Sequence, residues 1–257
     1  MSDVSTRVAG TSLTTFTDAE VRAMVTEAHR LGAKIVAHAS EAATLRRLTA
    51  DAQVHVDSIE HGYSMSELLS PKAGDESPGI PPAFKEKPVF WVPTLAAYYT
   101  LGQSNGVWER AAQSFREYLK KRPEEIRIAC GGDTGVFAHG DNALEMKLML
   151  RLGAPWRQVL KWCTIGGWEC VRSMRWEGEE GEVRLKDVER LMEEARIVGT
   201  NEVPFGVIRK GFAADIIATS GSLWEEFENA VDRKSISFVM KGGKVYKRNG
   251  QEVVVDA

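Results

Sequence analysis

Residues 34–62 read KIVAHASEAATLRRLTADAQVHVDSIEHG, and one pattern occurs in them twice. Lys34-Ile35-Val36-Ala37-His38 is a short apolar run of the kind that forms a buried strand. Glu41 to Leu48 reads as a helix. Val54 to Glu60 is a second strand, closing on His61-Gly62. A strand, a helix and a strand in so short a span make a βαβ unit, whose crossover is right-handed and whose strands are parallel. Each strand runs into an imidazole. In parallel α/β architectures, reactive side chains collect at the carboxyl ends of strands.

The rhythm continues on both sides. Upstream, Thr17-Asp18-Ala19-Glu20 has the form of a capping box, with acids where the helix dipole favours them. Val21, Met24, Val25, Ala28 and Leu31 follow at helical spacing, and Gly32 supplies the stop. Downstream, Ser64 to Leu69 starts a helix. Residues 70–82 read as an inserted surface loop, and 83–87 as the completion of that helix. Pro88 to Pro93 is a third strand. Trp108, Ala112, Phe115 and Leu119 mark one face of a helix. Ile126 to Gly131 is a fourth strand, followed by Gly132-Asp133. Ala143 to Leu152 and Trp156 to Val171 are helices. Four strands alternating with helices predict a parallel sheet.

The later chain changes character. Residues 176–204 are charged, with a surface helix expected over Leu185 to Ile197. The tail then shortens its period, with strands at 214–219, 237–240, 244–246 and 252–255. Lys241-Gly242-Gly243-Lys244 is a hairpin signal between the middle two.

Composition narrows the classes of function. Of the 257 residues 43% are hydrophobic, enough for a buried core. The formal net charge of -3 provides no basic field for a phosphate backbone, which argues against nucleic acid as a partner. The polar N-terminus has no secretory pattern, and the longest apolar run, Pro88 to Tyr99, is too short to span a bilayer. Cys130, Cys163 and Cys170 have no framework spacing and are expected to be free thiols in a reducing compartment. The expectation is a cytoplasmic protein with no membrane partner.

Three of the four strands lead into a residue type that binds metals: His38, His61 and Asp133. The third strand ends in Val92-Pro93-Thr94, with no such type. A lone buried histidine is more often a hydrogen-bonded core residue, and an Asp after Gly-Gly is more often a turn residue. Their joint placement favours a site, because imidazoles and a carboxylate are the usual ligands of a catalytic zinc. Strand parity adds that Val36 and Lys34 share the face of His38, while Ile35 and Ala37 meet the helices. Trp156, Trp162 and Trp168 read as helix packing rather than a ligand cage. No serine-hydrolase elbow and no phosphate-binding glycine loop is present.

The segments IVAHA (35–39), DSIEHG (57–62), VPTL (92–95) and GGDTG (131–135) resemble strands five to eight of the amidohydrolase superfamily, in its imidazolonepropionase-like and Xaa-Pro dipeptidase-like branch. HGDNALE (139–145) is similar to that branch's loop and helix after strand eight. GVIRKGFAADIIATSGSLWEEF (206–227) and SFVMKGGKVY (237–246) resemble its small β-sandwich. The resemblance implies an α/β fold: part of a (β/α)8 TIM-type barrel, strands five to eight, over residues 1–175. A charged insertion over 176–204 and a portion of the β-sandwich over 205–257 follow. It implies a hydrolase of carbon–nitrogen bonds in a small-molecule substrate, with His38, His61 and Asp133 as metal ligands and Asp133 also moving the proton of the attacking water. Zinc is the expected divalent ion, with manganese or iron as alternatives. His139 and Tyr63 are candidates for touching substrate.

The family also opens with an HxH pair at strand one, and many members carry a carboxylated Lys at strand four. The sequence has no HxH, and its region before Phe16 offers Arg7 in place of the Lys. His38 and His61 would share one ion with that Lys, and Asp133 would join the HxH on the other. Three ligands can still hold one zinc with an open water position. Truncation is the favoured reading. A variant form, a fold that has lost the chemistry, and a half barrel covering its open edges with a second copy are the alternatives.

Overall fold

The structure, a computed structural model, describes residues 6–8, 11–13, 15–49, 54–69, 87–102, 104, 106–193 and 203–254. The loop and helix end expected over 70–86 lie outside these residues. The chain divides into two units, Met1–Phe137 and Ala138–Ala257.

In the first unit, a short antiparallel hairpin, β1 (Thr6–Val8) and β2 (Thr11–Leu13), precedes α1 (Asp18–Arg30). The capping box forms: Thr17 Oγ1 accepts from the Glu20 amide, and the Thr17 amide donates to the Glu20 carboxylate at 2.8 Å. Four parallel strands follow in sequential order: β3 (Val36–Ala39), β4 (Ser58–His61), β5 (Val89–Val92) and β6 (Ile126–Ile128). Between them lie α2 (Ala42–Arg47), α3 (Met65–Leu69), α4 (Leu95–Leu101) and α5 (Val107–Lys121). Sequence reading missed α4, because strand and helix share one unbroken apolar run.

The register fixes two faces. Val36 pairs with Ser58 and His38 with Glu60; Ser58 pairs with Phe90, which pairs with Arg127. Paired residues share a face. The opposite face carries Ala37, Ala39, Ile59, Trp91 and Ile128, all buried against the helices. Val36 and His38 are exposed, so the predicted parity holds, while Ser58 and Phe90 on the same face are buried.

The amino ends of the strands are tied by one buried carboxylate. Asp57 accepts from the Ile35 amide at 2.8 Å and Lys87 Nζ at 2.6 Å, and lies 2.8 Å from His29 Nε2 on α1. Burial raises the Asp57 pKa, but these hydrogen bonds outweigh it and hold the carboxyl below its ordinary value.

The second unit contains α6 (Ala143–Arg151), α7 (Trp156–Cys163) and α8 (Ile165–Val171). The single helix expected over Trp156 to Val171 is two, broken at Thr164, whose φ of −119° and ψ of −95° are not helical. Next come α9 (Gly178–Lys186) and α10 (Val188–Glu193). Trp168, Trp176 and Val188 form a buried cluster, so the charged stretch contributes two core residues, Trp176 and Val188. A four-stranded antiparallel sheet ends the unit, in the order β10 (Gln251–Glu252), β9 (Lys244–Arg248), β8 (Ile236–Lys241), β7 (Ile216–Thr219). A short α11 (Phe227–Ala230) lies between β7 and β8. Gly242 and Gly243, with φ of 56° and 80°, form the predicted turn between β8 and β9.

Neither Cys130 nor Cys163 is a free thiol, which corrects the expectation for those two, and Cys170 is buried. Among the described residues no helix is long and apolar enough to cross a membrane.

Burial, with the nearby Lys87, pushes His55 down to about 4. The unfolded chain takes up this proton below pH about 6.5 and the folded chain does not, so acid favours unfolding through this window. We expect stability to fall by about 3 kcal/mol between pH 6.5 and 4 from this group. Urea unfolding of wild type and His55→Gln across that range checks it: the variant should show a flatter profile.

Candidate functional site

The carboxyl ends of β3 and β4 bring two imidazoles together. His38 is the third residue of β3 and is exposed, on the face opposite Ala37 and Ala39. His61 ends β4, and simple alternation would place it with Ile59 on the helix side. It does not go there, because its φ is 77°, in the left-handed region. The backbone turn redirects the ring, and His38 Nδ1 lies 2.6 Å from His61 Nε2, with ring centroids 4.8 Å apart.

The surroundings hold this turn. Trp91, fully buried, donates Nε1–H to the His61 carbonyl at 2.8 Å. Gly62 is also left-handed, at φ 64°, and a Cβ there would sit 2.7 Å from Trp91 Nε1, so the indole requires glycine. The Gly62 amide donates to the Ala39 carbonyl, and the Ser64 amide to the Ser40 carbonyl, which stitches the loops after β3 and β4.

Thr94, one residue past Pro93, completes the arrangement. His61 Nδ1 lies 2.9 Å from Thr94 Oγ1. With Nδ1–H donating to that oxygen, Nε2 keeps its lone pair toward His38. Thr94 is buried and has a φ of 47°, costly for a β-branched residue. Asp133 has a φ of 62°. Of the five non-glycine residues with positive φ among those described, His61, Thr94 and Asp133 all follow strands of this one sheet. Strained backbone of this kind clusters at functional sites.

Electrostatics suits neutral imidazole. Burial and the neighbouring His38 push His61 below its ordinary value, partly opposed by the Asp133 carboxylate. Neutral imidazole is the form that binds metal. Glu60 shares the His38 face and accepts from Ser58 Oγ at 2.6 Å. Burial, aided by Asp133, pushes its carboxyl up.

Tyr63, two residues past His61, donates its hydroxyl to Glu41, and its ring meets Tyr98 edge-on at 5.7 Å. Burial and this bond push the phenol up to about 12, so it stays a donor at neutral pH. Tyr98 meets His61 edge-on at 6.1 Å and shares a 3.2 Å hydrogen bond with Ser40. The structure therefore joins His38 and His61, with Tyr63 linked through Tyr98. Asp133 is exposed in the loop after β6 and acts on His61 and Glu60 through its charge. His139 is exposed in the second unit, in the turn before α6.

Two ligands of a tetrahedral zinc stand about 3.3 Å apart, given zinc–nitrogen bonds near 2.0–2.1 Å. The imidazole pair, facing through opposed nitrogens, fits one ion after opening by under an ångström. Among the described residues no three His, Cys, Asp or Glu side chains converge as a complete ligand set. The pair fits a metal; the third ligand is not drawn in.

Sequence reading missed Thr94, Glu60 and Tyr98. Parity with His38 pointed to Glu60. Thr94 lay at the strand end set aside for lacking a ligand type, where its role is to orient a ligand.

The sequence model of the amidohydrolase family matches residues 3–173. No curated protein matches. Among solved structures, ochratoxinase from A. niger is 20% identical with a TM-score of 0.64, covering 92% of this chain and 46% of its own. A Xaa-Pro dipeptidase with bound methionine in its active site is 25% identical with a TM-score of 0.63, covering 91% of this chain and 50% of its own. An adenosine deaminase from Xanthomonas campestris with bound zinc is 13% identical with a TM-score of 0.53, covering 93% and 51%. The chain spans about half the length of these structures.

Replacing Thr94 with Val removes the acceptor at His61 Nδ1. The expected outcome is a shift from one tautomer of His61 to a mixture, read from ¹⁵N ring shifts at neutral pH.

Proposed function

This chain belongs to the amidohydrolase family, and on that premise we propose that it is a metal-dependent hydrolase of a carbon–nitrogen bond in a small-molecule amide, a cyclic amide or a dipeptide. The observation that carries the reading is the paired His38 and His61 at adjacent strand ends, with His61 turned into the site by a left-handed backbone and oriented by Thr94. In this reading β3 to β6 are strands five to eight of a (β/α)8 barrel, and β7 to β10 are part of a small β-sandwich.

His38 and His61 would hold a divalent ion, with zinc first and manganese or iron as alternatives, and Asp133 as the third ligand. When bound, the ion supplies an acidified water and polarises the scissile carbonyl. Asp133, exposed beside the pair, takes the proton of the attacking water and returns it to the leaving amine. Tyr63 and His139 are the residues proposed to touch substrate. A second copy of the chain, covering the open strand edges of the half barrel, is the proposed partner.

One observation favours a second reading, a protein that keeps the fold without the chemistry: the two imidazoles are hydrogen-bonded to each other rather than spread around three ligands. Asp133→Asn separates the two. With zinc or manganese supplied, an enzyme should lose at least about 10²-fold in turnover on a panel of N-acyl amides, the usual scale of acid–base catalysis. An interaction protein shows no turnover before or after the change.

A further inference from the structure

Tyr98 touches both loops that carry the imidazoles, and the chemistry above gives it no part. It lies on α4, one helical turn after Thr94, and its amide donates to the Thr94 carbonyl. Residues four apart on a helix stand on one face, and a long side chain leans back toward the helix amino end. Thr94 and Tyr98 therefore approach the same ring. Thr94 Oγ1 lies 2.9 Å from His61 Nδ1, and the Tyr98 ring meets the imidazole edge-on at 6.1 Å. The helix itself is anchored at its far end. The Gly102 amide donates to the Tyr98 carbonyl at 2.7 Å, and a Cβ at residue 102 would sit 2.5 Å from that oxygen.

The hydroxyl reaches past His61 to the loops. It lies 3.2 Å from Ser40 Oγ, and the Tyr63 amide donates to the same oxygen. Ser40 is two residues past His38 and Tyr63 is two past His61, so one oxygen joins equivalent points of the two loops. Burial pushes the phenol up, so the hydroxyl stays protonated and both donates and accepts. Backbone bonds from Gly62 to Ala39 and from Ser64 to Ser40 set the loops side by side. Tyr98 adds a side-chain clasp across them. The facing nitrogens stand 2.6 Å apart and zinc needs them about 3.3 Å apart, so the loops must yield slightly and no further.

We propose that Tyr98 is a positioning residue for the imidazole pair: its ring braces His61, and its hydroxyl clasps the loops after β3 and β4 so that the two rings stay at the spacing an ion needs. This inference rests on reading the His38–His61 pair as the metal-binding half of a hydrolytic centre.

Tyr98→Phe keeps the ring and removes the clasp. Tyr118→Phe is the control: it removes a buried hydroxyl on α5 that donates to the Ile126 carbonyl at 3.3 Å, at the amino end of the sheet. Two readouts are taken on the whole chain in each form. Nuclear Overhauser contact between the His38 and His61 rings in the metal-free chain reports their spacing, and zinc titration reports what that spacing does. Tyr98→Phe should weaken the ring contact and lower zinc affinity about 10-fold, the usual scale for a group one step behind metal ligands, while Tyr118→Phe changes neither. An unchanged ring contact in Tyr98→Phe, or equal losses in Tyr118→Phe, overturns the assignment. Weakened ring contact in a chain whose wild type binds no zinc supports the clasp and counts against the hydrolytic centre. Wild-type zinc binding that Tyr98→Phe leaves unaltered overturns the clasp and leaves the hydrolytic centre standing.

Discussion

The short approach of His38 Nδ1 to His61 Nε2 is the interaction on which the rest of the site depends. It requires three things at once. The parallel register must place the ends of β3 and β4 side by side. The backbone must turn left-handed at His61, against the preference of any residue with a Cβ. Buried partners must then over-determine that turn. Trp91 does so from the helix side through the His61 carbonyl, and Thr94 from the strand end through Nδ1. Both come from β5 and its end, so one strand without a ligand of its own fixes the geometry of its neighbour.

The two ends of the sheet divide their labour. At the amino ends, Asp57 collects an amide, an ammonium and an imidazole, tying α1, the entry to β3 and the approach to β5 into one buried knot. That knot concerns stability. At the carboxyl ends the backbone is strained, polar groups are exposed, and rings replace aliphatic packing. This polarity is the one parallel α/β sheets share. It also explains why a half-buried imidazole pair persists: the energy that holds it comes from the opposite end and from the helix-covered face.

Much of this was legible in the sequence. The capping box at Thr17 and Glu20, the four strands and the parity of β3 follow from local periodicity, because each is set by near neighbours. What was not legible was the backbone conformation at His61, Thr94 and Asp133. Nothing in a residue's type announces a left-handed φ when it is not glycine, and the Gly62 that accompanies it reads as an ordinary turn. Thr94 was set aside because threonine is not a ligand type, although its function is to orient one. The α4 helix was hidden because Pro88 to Tyr99 stays apolar through a change from strand to helix. The break at Thr164 likewise leaves no mark in the hydrophobic pattern of Trp156 to Val171.

The central claim is that the His38–His61 pair is the metal-binding half of a hydrolytic site. Zinc titration of the purified chain, in wild type and in a His38→Ala/His61→Ala double variant, tests it most directly. The account predicts one zinc bound per chain in wild type and loss of that binding in the double variant while the chain stays folded. Equal zinc binding by both proteins, or none by either, would contradict it.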